Sequence, residues 1–406
     1  MPATPPPPPP PSHQRIYAPA DERDMPSLLR LVHHAFATTP DAETKWIRPS
    51  GLSNFRVVRA GEGAQPSSCL LRVPMGQHFG GKSVPMLGIA GVAVAPEARG
   101  RGAARWMMSR AMQEAHEDGF ALSALYASTQ GLYRQVGYEQ GGYRCLIKLL
   151  PHRIDVRARE PVVRPLTPKD DPAIHACYKA FAQQFAGTLD RAPYIWRRVR
   201  EFRDKSYHGF GIDGPDGRLD GYTYLCQTRM ADGIEIEVSD LAFLTPRTGQ
   251  RLLGFLADFS TTTKDITIAG APLHPVLSLM TSHHHAITRS EVWMLRITDL
   301  AKAMTLRGYP RSVAASIQLN VHDPIVRAND GSWTLSVEHG RAEITREATP
   351  RPAMTCSIQG LAAVYSGLYT ARQAALLGWV EGDAGALEAA DAIFGGFGTP
   401  WMPDFF

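Results

Sequence analysis

Between Val92 and Ala104 the chain reads V-A-V-A-P-E-A-R-G-R-G-A-A, and few local sequences restrict a fold so tightly. An alternating apolar run stops at Pro96, turns through Arg99-Gly100-Arg101-Gly102 and opens directly into a helical pattern. Strand, glycine loop and helix N-terminus in that order bring free backbone N–H groups and the positive end of a helix dipole to one point. Such a point suits a phosphate. A Cβ at the glycines would hinder both a positive-φ turn and close approach of the anion. Arg99, Arg101 and Arg105 add charge around it. No G-K-[ST] follows, so this is not a P-loop. The third glycine and downstream acid of the dinucleotide fingerprint are missing as well.

The flanking pattern extends the reading. Ala104, Met107, Met108, Ala111, Met112 and Ala115 fall on one helical face, and Gly119 ends the helix. A strand over 120–125 follows, then Ser128-Thr129-Gln130-Gly131 before a short helix over 132–136, which Ser128 or Thr129 is placed to cap. Another strand runs over 143–149. With Arg99, Gly102 and Ala104 matching R-x-x-G-x-[GA], the segment resembles the acyl-CoA loop of GNAT-type N-acetyltransferases. That resemblance implies two splayed strands with the thioester in the gap and a tyrosine from L-Y-R-x-x-G-Y near the sulfur.

A chain of 406 residues is too long for one core, so two or three domains are expected. An apolar content of 44% with 20% charged residues fits an ordinary globular protein, and no apolar run reaches bilayer length. Pro5 to Pro11 predict a polyproline tail over residues 1–14 rather than a signal peptide. Five scattered cysteines form neither a metal spacing nor a disulfide framework, which points to the cytoplasm. A net charge of +4 without a basic stripe gives no ground for nucleic acid. His283-His284-His285 reads as a loop, because adjacent histidines cannot all face one ion; no metal is expected.

The chain also repeats itself. I-Y-A-P-A-D-E-R-D-M-P ending at Phe36 returns as V-R-P-L-T-P-K-D-D-P ending at Phe181, and the loop at Arg99 has an echo at Arg247. The two offsets, 145 and 148 residues, nearly agree, which indicates two copies of one fold. The second copy has Gln250 where the first has Gly102 and Leu252 where it has Ala104, so its anion loop is lost. From about Val313, alternating strands over 315–321 and 333–338, turn signals at Asn329-Asp330-Gly331 and helices over 357–366 and 370–378 predict a third, α+β domain. Its aromatic tail to Phe406 is expected to dock rather than fray.

Taken together, V-A-V-A-P-x-x-R-x-R-G, A-L-Y-A-S-T-Q-G-L-Y-R-Q-V-G-Y, V-W-M-L-R-I, L-R-G-Y and the final phenylalanine resemble the Eis (enhanced intracellular survival) acetyltransferases. The resemblance implies an α/β architecture of tandem GNAT domains, 15–155 and a degenerate 156–292, followed by a sterol-carrier-protein-like domain, 293–406. It implies a cytoplasmic homo-hexamer that uses acetyl-CoA to acetylate primary amines, those of aminoglycosides first, with antibiotic resistance as the consequence. Protein lysine, a biosynthetic amine, or a non-catalytic CoA- or lipid-binding role are the alternatives. By the same resemblance Val92, Ala93 and Val94 contact acetyl-CoA. Arg99, Gly100, Arg101, Gly102, Ala103, Ala104 and Arg105 hold its pyrophosphate, with Ser128 and Thr129 nearby.

Tyr133 falls at the family's general acid, with Tyr126 and Tyr138 as competitors. Phe406 falls at the residue whose free carboxylate is the base, or else is a hydrophobic anchor. Phe36 and Trp46 match aromatic lining of the acceptor cleft, and Phe405 joins them. Thr38 and Phe405 stand where the family has acids, and Asp41, Glu43 and Asp404 are the available substitutes.

Overall fold

The computed structural model describes residues 15–39, 41–282, 284–347 and 352–406. The proline tail and His283 lie outside the described residues.

One sheet runs through the first two units. Its strands are β1 (Ile16–Pro19), β2 (Phe55–Arg59), β3 (Ser68–Phe79), β4 (Lys82–Val94), β5 (Leu122–Tyr126), β6 (Glu139–Leu149), β7 (Arg164–Pro165), β8 (His208–Asp213), β9 (Leu219–Met230), β10 (Gly233–Phe243), β11 (Thr263–Gly270) and β12 (His285–Ile297), with the short strand Leu189–Asp190 added beside β3. In space the order is β1-β2-β3-β4-β5-β12-β6-β11-β10-β9-β8-β7. The helices are α1 (Met25–Phe36), α2 (Ala103–Glu117), α3 (Gln130–Arg134), α4 (Asp171–Ala182), α5 (Pro193–Arg200) and α6 (Pro246–Ala257).

The repeat is visible in local detail. Each unit begins with a strand and a single 3-10 turn closed by a capping box. The N–H of Asp21 donates to Asp24 (3.0 Å) and that of Thr167 to Asp170 (2.7 Å). Each turn then leads into a helix with proline in its first turn, α1 or α4. The units are fused rather than merely adjacent, because β12 inserts between β5 and β6 and pairs antiparallel with both. It therefore runs across the boundary expected at residue 292.

The third domain has α7 (Leu300–Leu306), β13 (Ala315–His322), β14 (Gly331–Glu338), β15 (Arg341–Thr345), β16 (Ala353–Ser357), α8 (Ile358–Ser366), α9 (Ala371–Leu376), β17 (Val380–Gly382) and α10 (Ala384–Phe394). Its strands order as β15-β14-β13-β16-β17, and α8 packs on β6 and β12. The L-R-G-Y motif forms its joint with the first domain. The backbones of Gly308 and Gly80 meet so closely that a Cβ built on Gly308 would stand 1.9 Å from the Gly80 carbonyl oxygen. Arg307 is buried among the rings of Phe79, Tyr309, Tyr365 and Phe394. In V-W-M-L-R-I, Arg296 forms a fully buried pair with Asp323 at 2.7 Å. Among the described residues no helix is long and apolar enough to cross a membrane.

Candidate active site

The loop is anchored by α2. Met107, Met108 and Met112 are fully buried on its inner face, worth about 1.5–3 kcal/mol each. Ala103, rather than the expected Ala104, starts that stripe, because the helix begins there. Gly102 is its N-cap, at φ +71, and no side chain caps the first turn. Gly100 (φ +73) and Gly102 have open space where a Cβ would lie. Arg99 donates from Nε to the Val94 carbonyl (3.2 Å), and the Arg15 guanidinium holds the Arg101 carbonyl (2.9 Å). Arg99, Arg101 and Arg105 have no carboxylate partner among the described residues. Uncapped N–H groups, room beside the glycines and three unpaired cations together fit a pyrophosphate.

The second unit shows the same helix start disabled. Thr245 caps α6 by accepting from the Thr248 N–H (3.3 Å), and both hydroxyls bind Asp220, that of Thr245 at 2.7 Å. A carboxylate already sits at the positive end of the dipole.

Beyond the loop, the sheet opens. β4 and β5 pair in parallel only at Met86–Leu122, Leu87–Ser123 and Gly88–Ala124. β5 stays bonded to β12 as far as Tyr126, so β4 is the strand that leaves. A bulge causes this: the β3–β4 register slips between Cys69 and Leu71, opposite Gly91 at φ +57. A bulge bends its strand and increases the local twist. A Cβ on Gly91 would also meet the Trp46 ring at 3.1 Å. Val92, Ala93 and Val94 lie on the departing stretch.

Four tail and strand residues converge at the opening. The Phe406 ring covers Gly88, the last residue of β4 paired with β5. Tyr126 contacts the Phe405 and Phe406 rings at 4.8 and 5.7 Å. Three successive tail carbonyls are each held by a different element. Arg144 of β6 donates to Pro403 (2.9 Å), the Tyr126 hydroxyl to Asp404 (2.6 Å), and Arg198 of α5 to Phe405 (2.8 Å). The Asp404 side chain meets Arg191 (2.9 Å), which also binds Asp240 (2.6 Å), all buried. Burial raises the Asp404 carboxyl, Arg191 opposes the shift and Asp240 adds to it. Upstream, Trp401 bridges to Tyr143 and lies 5.2 Å from the His274 ring. The tail is docked, as its aromatic composition suggests.

The three candidate tyrosines separate by environment. Tyr126 is engaged with the tail, and Tyr138 is fully buried with its hydroxyl on Ser123 (2.7 Å). Tyr133, on α3, is 6% exposed and has no hydrogen-bond partner among the described residues; burial pushes its hydroxyl up to about 12. Thr129 is the N-cap of α3, but its side chain makes no capping bond, and the helix begins two residues earlier than the pattern suggests. Ser128 and Thr129 remain exposed after β5.

Phe36 is 48% exposed and meets Trp46 edge-on at 6.0 Å. Trp46 stands on a π-helical turn, Glu43–Ile47, a local irregularity common near functional sites. Met75 and Tyr194 pack against both the cluster holding Phe406 and the cluster flanked by Trp46. The expected substitute acids are already engaged: Asp41 with Lys45 (2.6 Å), Glu43 with Arg48 (2.6 Å) and Asp404 with Arg191. No local motif marks Gly88, Arg144 or Arg198. An isolated glycine in a strand pattern, as at Gly91, is the one signal that could have found the bulge.

Residues 17–141 and 187–297 match acetyltransferase (GNAT) domain families, and 300–403 match the sterol carrier protein domain family. A GCN5-related N-acetyltransferase from Anabaena variabilis has a crystal structure superposing with a TM-score of 0.92 at 32% identity, over 97% of this chain and 100% of that one. The N-acetyltransferase Eis of Mycobacterium tuberculosis is 27% identical over 80% of this chain and 83% of its own. The fold of Eis1 from Mycobacterium abscessus is shared at a TM-score of 0.77, with 20% identity over 97% of this chain and 100% of that one.

Proposed function

Since the chain belongs to the GCN5-related N-acetyltransferases and is Eis-like across its three domains, we propose that it transfers the acetyl group of acetyl-CoA directly to a primary amine, with Tyr133 as acid and the Phe406 carboxylate as base. The observation that carries this reading is the seat of Phe406 on Gly88, where β4 parts from β5. Acetyl-CoA, the donor substrate, supplies an activated acetyl group. The uncapped start of α2 and the loop arginines bind its pyrophosphate. Val92 to Val94 present free backbone on the departing strand.

A primary ammonium must lose its proton before it can attack. An α-carboxylate, reference pKa roughly 3.3–3.7, is weakly basic in water, but it attracts the ammonium and relays the proton through solvent. The Tyr133 hydroxyl keeps its proton through the neutral range and donates it toward the leaving sulfur as charge develops there. Phe36, Trp46 and Phe405 provide apolar lining for the acceptor.

Aminoglycosides, protein lysines and biosynthetic amines remain the acceptor classes to compare. A cytoplasmic homo-hexamer belongs to the same proposal and is checked by sedimentation. The deciding experiment is thiol release from acetyl-CoA across those amines, with the wild type beside Tyr133→Phe. Release that depends on amine and drops steeply in the variant supports the reading. Undiminished release by the variant overturns the acid.

A further inference from the structure

The tail that seats Phe406 has a second face. Pro403, Asp404 and Phe405 form one wall of a pocket of about 520 Å³, whose other walls come from α5, β6, β9, β10, β11 and β12. Its charges are unevenly matched. Arg144 and Arg289 share a single carboxylate, Glu291, at 2.9 and 2.7 Å. Lys205 is matched by Glu237 at 2.5 Å, while Asp404 is engaged by Arg191.

Two lining arginines are left without a carboxylate among the described residues, against one such acid, Glu235. Arg198 gives Nε to the Phe405 carbonyl (2.8 Å) and Nη1 to the Tyr194 hydroxyl (3.1 Å), and its Nη2 has no hydrogen-bond partner among the described residues. Burial lowers its basicity below the usual guanidinium value. Arg203 rests on the Phe202 ring at 4.9 Å, at the tip of the hairpin joining Glu201–Phe202 to Lys205–Ser206. For Arg198, drawn out of water without a counter-charge, the position is unfavourable, whereas Arg203 is exposed at the mouth. The planar fork of each matches a carboxylate or phosphate.

We infer that the acceptor is an amine carrying an anionic group, carboxylate or phosphate, which docks on Arg198 and Arg203 while the amine reaches the β4–β5 gap beside Phe406. This inference rests on the acetyl-transfer reading. The carbonyl held by Arg198 belongs to the residue before Phe406, so the docking guanidinium and the proposed base flank the same tail end. The acids that could hold a polycation instead, Asp41, Glu43 and Asp404, are already in ion pairs.

The test uses acceptor pairs that differ in one anionic group, assayed by thiol release with the full chain. Gly-Gly-Glu amide is set against Gly-Gly-Gln amide for the carboxylate, and glucosamine 6-phosphate against glucosamine for the phosphate. The charged member of at least one pair should show a kcat/KM about tenfold higher, and the pair that does so identifies the anion. Arg203→Gln should remove most of that advantage through KM, with kcat and neutral-amine turnover kept. Equal kcat/KM within both pairs, or higher kcat/KM for kanamycin than for either charged acceptor, overturns the inference while leaving acetyl transfer intact. If no amine releases thiol, the acetyl-transfer reading fails. Calorimetry then decides the docking site: binding of the charged probe that Arg203→Gln weakens supports it, and equal binding of charged and neutral probes overturns it.

Discussion

The ring of Phe406 lies against Gly88, and a Cβ built on that glycine would stand 3.0 Å from Phe406 Cε2. The last residue of the sequence therefore rests on the last residue of β4 that still pairs with β5. Replacing Gly88 by valine should displace the Met75 methyl, which a Cβ would meet first, and the Phe406 ring, without touching the anion loop. We expect turnover to fall at least tenfold with the KM for acetyl-CoA within about threefold of wild type, measured by steady-state thiol release. An unchanged kcat would mean that the seat of Phe406 has no part in the reaction.

Appending a single glycine after Phe406 moves the terminal carboxylate by one residue and leaves the ring and the three held carbonyls in place. Loss of a positioned base costs roughly 10²–10⁴ in rate. The extended protein should keep its melting temperature and lose turnover in that range. Full activity would reduce Phe406 to an anchor.

Tyr133→Phe should lower kcat by a similar factor, and the pH profile gives an independent reading. Because burial raises the Tyr133 hydroxyl to about 12, its acid form persists well past the ordinary tyrosine value of 10. The kcat of the wild type should rise as the amine deprotonates and hold to about pH 10.5. A decline centred near 10 would assign the acid to an unburied group.

At the loop, Gly102→Val forces a β-branched residue into φ +71 and crowds the uncapped helix start. We expect the KM for acetyl-CoA to rise at least tenfold with a modest loss of stability. Opening the echo by Asp220→Ala should create no second CoA site, because Gln250 and Leu252 also differ; calorimetric stoichiometry checks this.

His274 is buried against Trp401, and burial lowers its pKa from 6.5 to about 4. The unfolded chain therefore binds a proton that the folded one refuses between those values, so stability falls as pH drops from about 6.5 toward 4. The effect is on the order of 3 kcal/mol at the lower end. Urea midpoints at pH 7.5 and 5 should differ less in His274→Gln than in wild type.

Much of this protein is legible in its residues because the information is local. A glycine loop between a strand and a helix must form where the φ angles and the apolar stripe demand it. The two matching offsets expose the duplication, and the terminal aromatics foretell a docked tail. Boundaries are less legible: α3 starts at Gln130, two residues before its apolar pattern, and no side-chain cap from Thr129 marks the start.

What the residues alone determined is the strand, glycine loop and helix start at Val92–Ala104, together with the succession of folds. The tertiary structure decided the rest, because it depends on contacts between residues far apart in sequence. The register slip at Gly91 opens the strands, and β12 fuses the two units. Arg144, Tyr126 and Arg198 each hold one carbonyl of the tail, and their convergence aims Phe406 at Gly88. No spacing along the chain encodes that convergence. The same is true of the unmatched guanidiniums beside it, which became visible only when α5 and the tail were brought together.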